Sequence, residues 1–222
     1  MKPISRRDFS VCLAATGLPA LSQAQGAAPV EGKQYLRLAQ PLAATPGKIE
    51  VYEFFLYTCP HCFAFDPLVS AWVKQLPADV SFRRIHVGVG AMHKLHQRLM
   101  ATLETLGRLA DLHEAVFKAI HVQHLDLSDE KAIIKFAASL GLDEAKFTSA
   151  FNDKFNTQRR IDQAASLAKS YGVETVPAIG IGGRYMTSPS LAGGPGKNAV
   201  SGGQAALALT NQLIQQLRSA KS

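Results

Sequence analysis

This chain of 222 residues has few cysteines, few long apolar runs and no long run of like charges. The formal net charge is +7, and the first 24 residues supply +2 of it from three basic residues and one acidic residue. Beyond them, adjacent arginines occur only as the pairs Arg83-Arg84 and Arg159-Arg160. Such scatter is typical of a solvated surface, so we expect no nucleic-acid partner.

The apolar stretch nearest the N-terminus, residues 11–21, is too short to span a membrane, which takes about 20 apolar residues. It follows the basic residues Lys2, Arg6 and Arg7 and precedes small residues that end at Ala24. This order predicts a signal peptide over 1–24 that is removed after Ala24. Residues 5–9 also resemble a twin-arginine signal, so the sequence leaves two export routes open.

Only three cysteines are present, and Cys12 falls inside the predicted signal. The mature protein would keep one pair, Cys59 and Cys62, with two residues between them. A disulfide that closes so short a loop constrains the unfolded chain very little. The pair therefore indicates redox chemistry, although two such cysteines can also form half of a metal site.

An apolar run from Ile49 to Tyr57 predicts a strand that is buried on both faces. It leads into Cys59-Pro60-His61-Cys62, and an amphipathic helix is expected over 63–76. Pro60 suits the first turn of a helix, where no backbone donor is needed. A thiolate at Cys59 would then lie at the positive end of the helix dipole, which lowers the thiol pKa. This setting favours disulfide exchange with other proteins.

Glu53 lies in the middle of the predicted buried strand. A carboxylate there is costly unless it is paired or protonated. We interpret Glu53 as a buried acid near the two sulfurs that helps to move protons. The alternative is a solvated glutamate at the edge of the sheet.

Glycine and proline are nearly absent from Met92 to Tyr171, where apolar residues recur at helical spacing. Ser128 is a candidate N-cap within this region. The histidine pairs His93/His96 and His121/His124 are expected on the solvated surface, in preference to a copper or zinc site. The pattern predicts helices near 91–106, 109–121, 129–140, 143–152 and 156–171.

The last part of the chain predicts a β-hairpin over 178–186 with a Gly182-Gly183 turn. Pro177 directly precedes the hairpin, where a cis Val176–Pro177 bond would explain a proline, whereas a trans bond at a strand edge is the commoner alternative. Residues 188–203 are rich in glycine, serine and proline and predict a surface loop. A closing helix is expected over 204–218.

Several motifs resemble the DsbA family of periplasmic thiol oxidases. The most specific is Glu53-Phe54-Phe55, followed after three residues by Cys59-Pro60-His61-Cys62. Similar motifs are Gly32-Lys33-Gln34-Tyr35, His86-Val87, and Val176-Pro177-Ala178 ahead of Gly183-Arg184-Tyr185. The resemblance covers 31–90 and 165–187, and in the helical middle it rests on length and pattern.

The resemblance implies an α/β protein in which an all-helical domain is inserted into a thioredoxin-like fold. Residues 31–90 and 165–222 would form the thioredoxin-like domain, and 91–164 would form the insertion. A second strand is predicted over 80–87, and whether His86 near its end lines the active-site groove stays open.

The family also implies roles for the site residues. Cys59 would be the exposed attacking sulfur and Cys62 its buried partner. His61, together with the helix N-terminus, would stabilise the Cys59 thiolate. Val176 and a cis Pro177 would lie against the sulfurs, and the backbone of Val176 would pair with an extended client peptide.

The implied clients are reduced or unfolded exported proteins, and the implied re-oxidant is a DsbB-like membrane quinone reductase. The protein would be a periplasmic monomer whose redox-active disulfide serves without a metal or other cofactor. Two rivals remain open. The first is a reductase or isomerase of the same fold. The second is a metal-binding module that uses Cys59 and Cys62.

Overall fold

The computed structural model describes residues 29–220, so the predicted signal peptide and Cys12 lie outside the described residues. The strands are β1 (Leu36–Arg37), β2 (Ile49–Phe55), β3 (Val80–His86), β4 (Ala178–Ile181) and β5 (Tyr185–Thr187). The helices are α1 (Pro60–Val73), α2 (Ala91–Thr105), α3 (Leu109–His121), α4 (Glu130–Ser139), α5 (Glu144–Phe151), α6 (Lys154–Tyr171), α7 (Pro189–Gly193) and α8 (Ala199–Ser219). Within 29–220, no helix has both the length and the apolar character needed to cross a bilayer.

The five described strands form one sheet in the order β1-β5-β4-β2-β3. β2 pairs in parallel with β3 and antiparallel with β4, which places Glu53 opposite both Arg84 and Ile179. Val51 and Phe54 point to opposite faces of β2, and both are fully buried. The run of apolar residues in β2 is therefore explained by helices that cover both faces of the sheet.

Three apolar clusters hold the layers together. Val51, Phe65 and Leu213 join β2, α1 and α8 on one face of the sheet. Phe54 and Tyr171 join β2 to the end of α6 on the other face. The third cluster contains residues from the end of β2 and from α1 to α5, among them Phe55, Tyr57, Cys62, Leu103, Val116, Phe117 and Phe147. The buried cysteine thus belongs to the same core as the helices that follow β3.

The predicted helices of the middle region are confirmed to within two residues at each end. The predicted N-cap at Ser128 is wrong by one position. Asp129 occupies it, and its carboxylate accepts the backbone N–H of Ala132 at 2.9 Å. Since both residue types cap helices well, composition alone did not separate them.

The surface loop predicted over 188–203 is also wrong, because this segment contains α7 and the first turn of α8. Ser188 caps α7 by accepting the N–H of Leu191, and Asn198 caps α8 by accepting the N–H of Ser201. Gly202 is needed for close packing, since a Cβ there would lie 2.8 Å from the carbonyl oxygen of Pro189. Gly202 and Gly203 reflect contact between helices, whereas the composition predicted a surface loop.

Gly180 gives a direct test of packing on the sheet. A Cβ at Gly180 would lie 2.5 Å from a ring carbon of Tyr171. The Tyr171 ring is buried, and its hydroxyl accepts the N–H of Gly183 at 2.9 Å. We expect Gly180→Ala to lower the free energy of unfolding by about 1–3 kcal/mol, measured by urea denaturation. When Gly180→Ala is made in a Tyr171→Leu background, the added methyl group should lower the free energy of unfolding much less than it does in the wild-type protein. An equal loss in both backgrounds would contradict the clash with the Tyr171 ring.

Candidate active site

Cys59 is the N-cap of α1. Its backbone is extended, with φ −82° and ψ 116°, and its Sγ accepts the backbone N–H of Cys62 at 3.4 Å. Pro60 takes the first helical position, where its missing N–H costs nothing. Cys59 is half-buried, Cys62 is fully buried, and both are free thiols. The local sequence therefore presents one sulfur at the helix N-terminus and hides the other behind it.

The pKa values of the two thiols are shifted in opposite directions. The hydrogen bond from the Cys62 thiol is the largest cause that lowers the pKa of Cys59, which falls to about 6. Backbone N–H groups of Cys62 and His61 and the charge of His61 lower this pKa further, whereas burial opposes them. The same hydrogen bond and burial raise the pKa of Cys62 far above its ordinary value. Near neutral pH the pair is a thiolate at Cys59 beside a thiol at Cys62.

The Val176–Pro177 bond is cis, which answers the question that the sequence left open. The thiol of Cys59 lies 3.8 Å from the carbonyl oxygen of Val176, although the two residues are 117 positions apart. The fold thus brings Val176 and Pro177 to the exposed sulfur.

A groove of about 560 Å³ opens beside the site. His61 and Phe65 form part of its wall, and Val176 and Pro177 form another part. The remaining wall comes from residues 189–202, including Lys197. This wall lies within the segment 188–203, whose composition predicted a surface loop and therefore gave no sign of it.

Glu53 is buried, with 1% of its surface exposed, so the solvated alternative is wrong. Its Oε2 lies 3.1 Å from Nε of Arg84. Burial raises the pKa of Glu53 to about 7, against the lowering effect of Arg84. The negative charge of Glu53 in turn raises the pKa of Cys62. Glu53 is thus a carboxyl group that can change protonation near neutral pH and that acts electrostatically on the buried thiol.

The partners of Glu53 are not evident from the sequence pattern. Arg84 also donates from Nη2 to Oδ1 of Asp66 at 2.8 Å, and His113 Nε2 lies 3.3 Å from the same oxygen. His113 Nδ1 is 2.9 Å from the hydroxyl of Tyr57. The parallel register of β2 and β3, had it been assumed, would have placed Arg84 opposite Glu53. No comparable local signal marks Asp66 or His113.

The predicted surface position is confirmed for His124, which is exposed, and is wrong for His96, which is buried. His86 is buried and accepts the N–H of Tyr57 at 3.2 Å, so it lies behind the active-site loop and does not line the groove. His96 is buried against the Leu127 carbonyl at 3.0 Å, which corrects its predicted exposure. His121 lies 2.8 Å from the Tyr57 carbonyl. Across residues 29–220, no group of three or more His, Cys, Asp or Glu side chains is arranged to hold a metal ion.

Comparisons with known proteins agree with this geometry. The DSBA-like thioredoxin domain matches residues 79–208. The thiol:disulfide interchange protein DsbA of Bordetella parapertussis is 46% identical over 211 residues, which cover 94% of each chain. The DsbA of Pseudomonas aeruginosa PAO1 is 38% identical over 190 residues, which cover 85% of this chain and 86% of that protein.

A crystal structure of Pseudomonas aeruginosa DsbA superposes with a TM-score of 0.79 at 37% identity. The match covers 87% of this chain and 96% of that one. The predicted thioredoxin-like α/β fold is therefore confirmed. With this fold, and with curated relatives at this level of identity, the chain belongs to the DsbA family of thiol:disulfide interchange proteins and is a protein-disulfide oxidoreductase.

Proposed function

We propose that the oxidised protein donates its Cys59–Cys62 disulfide to reduced, unfolded proteins after their export, through a mixed disulfide at Cys59. The observation that carries this proposal is the half-buried Cys59 sulfur at the N-cap of α1, with its pKa lowered to about 6. A thiolate that is stable at neutral pH is a good leaving group. It also stabilises the reduced enzyme and makes the disulfide oxidising, a relation for which DsbA proteins themselves are the standard example.

The transfer takes two exchange steps. A client thiolate attacks Sγ of Cys59, the Cys59–Cys62 bond breaks, and Cys62 leaves and takes up a proton. The client's second thiolate then attacks the client sulfur bonded to Cys59, and Cys59 leaves as a thiolate. Two electrons pass from the client dithiol to the enzyme pair. Glu53 is the proposed proton donor and acceptor for Cys62, because it is buried nearby with a pKa of about 7.

The client peptide would bind in an extended form beside the sulfur. The backbone of Val176 lies at the rim of the groove and faces Cys59, so it can pair with a peptide main chain. Such pairing depends on main-chain geometry more than on side chains, which suits an enzyme with many unfolded clients. Pro177 and Phe65 would add apolar contacts within the groove.

Several finer points belong to the same proposal. Residues 1–24 would direct export to the periplasm, where the mature chain would act as a monomer without a metal or other cofactor. Residues 31–90 and 165–222 would form the thioredoxin-like domain, and 91–164 the inserted helical domain. A DsbB-like membrane quinone reductase would return the reduced pair to the disulfide.

The role of His61 can be measured by substitution. Its charge lowers the pKa of Cys59, but it comes after the hydrogen bonds to Cys62 and to the backbone. We expect His61→Ser to raise the Cys59 pKa by about half a unit and to make the disulfide a weaker oxidant. The measurement is thiolate absorbance against pH, with His124→Ser, an exposed histidine after α3, as control. An unchanged titration at Cys59 would exclude a charge effect from His61.

Equilibration with glutathione buffers tests the proposed direction of transfer. A disulfide donor is reduced by glutathione far more readily than the disulfide of a reductase, and it oxidises a reduced, unfolded client stoichiometrically. A reducing potential would support the reductase or isomerase alternative. Stoichiometric metal in the purified, reduced protein, lost with Cys59→Ser, would support the metal-binding alternative.

A further inference from the structure

Two buried carboxylates share one arginine beneath the active site. Arg84 lies between Glu53 and Asp66, with contacts of 3.1 and 2.8 Å. The Glu53 and Asp66 side chains are 1% and 3% exposed, and that of Arg84 is 14% exposed. Because one cation balances one anion, two ionised carboxylates would leave an uncompensated buried charge. Near neutral pH the pair therefore tends to retain one proton.

The two carboxylates differ in their hydrogen bonds. Asp66 Oδ1 accepts from Arg84 Nη2 and, at 3.3 Å, from the Ser70 hydroxyl, and His113 Nε2 is also 3.3 Å away. Neither oxygen of Glu53 accepts a well-aligned hydrogen bond from the residues that the structure describes, whereas Asp66 Oδ1 accepts two, from Arg84 and Ser70. The approach of His113 Nε2 to Asp66 is a close polar contact and does not have the alignment of a hydrogen bond. Since donors stabilise the charged form, Asp66 holds the negative charge more readily and Glu53 holds the proton.

The contacts of His113 define which nitrogen carries its proton. Nδ1 faces the Tyr57 hydroxyl at 2.9 Å, and Nε2 faces the Asp66 carboxylate. A carboxylate that also pairs with Arg84 can only accept, so Nε2 carries the hydrogen and Nδ1 accepts from Tyr57. Burial lowers the pKa of His113, which keeps the ring neutral in this arrangement.

We propose that His113, supplied by α3, is a positioning residue that assigns the shared proton to Glu53 by presenting its Nε2–H to the Asp66 carboxylate at 3.3 Å. The inference rests on the proposed role of Glu53 as the proton donor and acceptor for Cys62. Through this contact, helix α3 sets the protonation state of Glu53 in β2. The charged and titratable groups that act on His113 are Asp66 from α1, Arg84 and His86 from β3, and the hydroxyl of Tyr57, which follows β2. Tyr57 in turn interacts with Glu53 from β2 and with His96 and Glu104 from α2.

Re-oxidation by a small aromatic disulfide separates the steps that matter. The Cys59 thiolate first attacks this reagent and releases one coloured thiolate. The Cys62 thiol then gives its proton to Glu53 and attacks the Cys59 sulfur, which releases a second coloured thiolate and forms the Cys59–Cys62 disulfide. The rate of the second phase should fall at low pH, as Glu53 becomes protonated.

The test compares His113→Phe with His113→Gln. Phenylalanine keeps the ring packing but cannot donate, so Asp66 would compete for the proton and the pKa of Glu53 would fall. In a plot of the second-phase rate against pH, the decrease on the acid side should then move down by about one pH unit. Glutamine can donate from Nε2 and should keep the wild-type profile. The proposal is overturned if the phenylalanine profile is unchanged or if the glutamine profile shifts equally.

Two further measurements distinguish a failure of the role proposed for His113 from a failure of the proposed function. Nitrogen NMR of the wild-type imidazole should show the Nε2–H tautomer, and an Nδ1–H tautomer would overturn the proposal even if His113→Phe does not fold. Oxidation of a reduced client at about pH 8, where Glu53 is ionised in every variant, measures disulfide transfer itself. Loss of transfer in the wild-type protein would refute the proposed function, whereas normal transfer with unshifted profiles would refute only the role of His113.

Discussion

Replacing Cys62 with alanine is expected to raise the pKa of Cys59 from about 6 toward the ordinary thiol value of about 8.5. The hydrogen bond from the Cys62 thiol is the largest cause of the low value, and alanine removes it. At about pH 7 the thiolate fraction would fall about 30-fold if the whole shift were lost. Thiolate absorbance and the rate of alkylation of Cys59, each measured against pH, would report the change.

Cys62→Ser is the matched control for this prediction. Its hydroxyl can still donate to the Cys59 sulfur, and it removes the second thiol just as alanine does. The serine variant should therefore titrate close to the wild-type protein. If both variants titrate near 6, the backbone N–H groups at the start of α1 hold the thiolate without help from the side chain at position 62.

Glu53→Gln is expected to stabilise the protein above neutral pH. The folded pKa of Glu53 is raised from 4.5 to about 7, mainly by burial. A raised pKa contributes stability that is present below the unfolded value and is lost as the pH rises through about 7. The loss amounts to about 3 kcal/mol, since each pKa unit corresponds to about 1.4 kcal/mol. The glutamine variant does not ionise and should avoid this loss.

The measurement is urea unfolding of the oxidised protein from about pH 4 to 8, so that neither cysteine titrates. The free energies of unfolding of the variant and the wild-type protein should differ least at the acid end of this pH range and most at the alkaline end. Burial lowers the pKa values of His86, His96 and His113, which contributes a dependence of opposite sign to both proteins. The difference between the two curves therefore isolates Glu53. Glu174→Gln, at an exposed carboxylate, should show no such difference, and a constant gap across the pH range would contradict the burial argument.

The sequence predicted those features that depend on local pattern. Pro60 after Cys59 predicted a helix start, and the apolar run through Glu53 predicted a buried strand, because both follow from backbone chemistry and hydrophobic periodicity. The helices between β3 and β4 were predicted almost to the residue for the same reason. The motif Cys59-Pro60-His61-Cys62 then indicated the chemistry.

The features that were missed depend on contacts between distant segments. Asp66 lies within an amphipathic helix, where an acidic residue is most often solvated, and its burial depends on the approach of His113 from α3. His96 and His86 are buried for the same kind of reason. Gly202 and Gly203 contributed to the prediction of a surface loop, because local composition cannot show that other helices pack against them.

The exposed sulfur and the carbonyl that faces it are separated by 117 positions along the chain. A polypeptide that emerges N-terminus first therefore presents its Cys-Pro-His-Cys segment long before the strand that completes the sheet around it. A nascent chain stalled ahead of Ala178 contains both thiols but cannot form the β2–β4 ladder or the groove wall that residues 189–202 supply. The finished catalytic centre is thus a late product of synthesis, which separates the first appearance of the dithiol from its full reactivity.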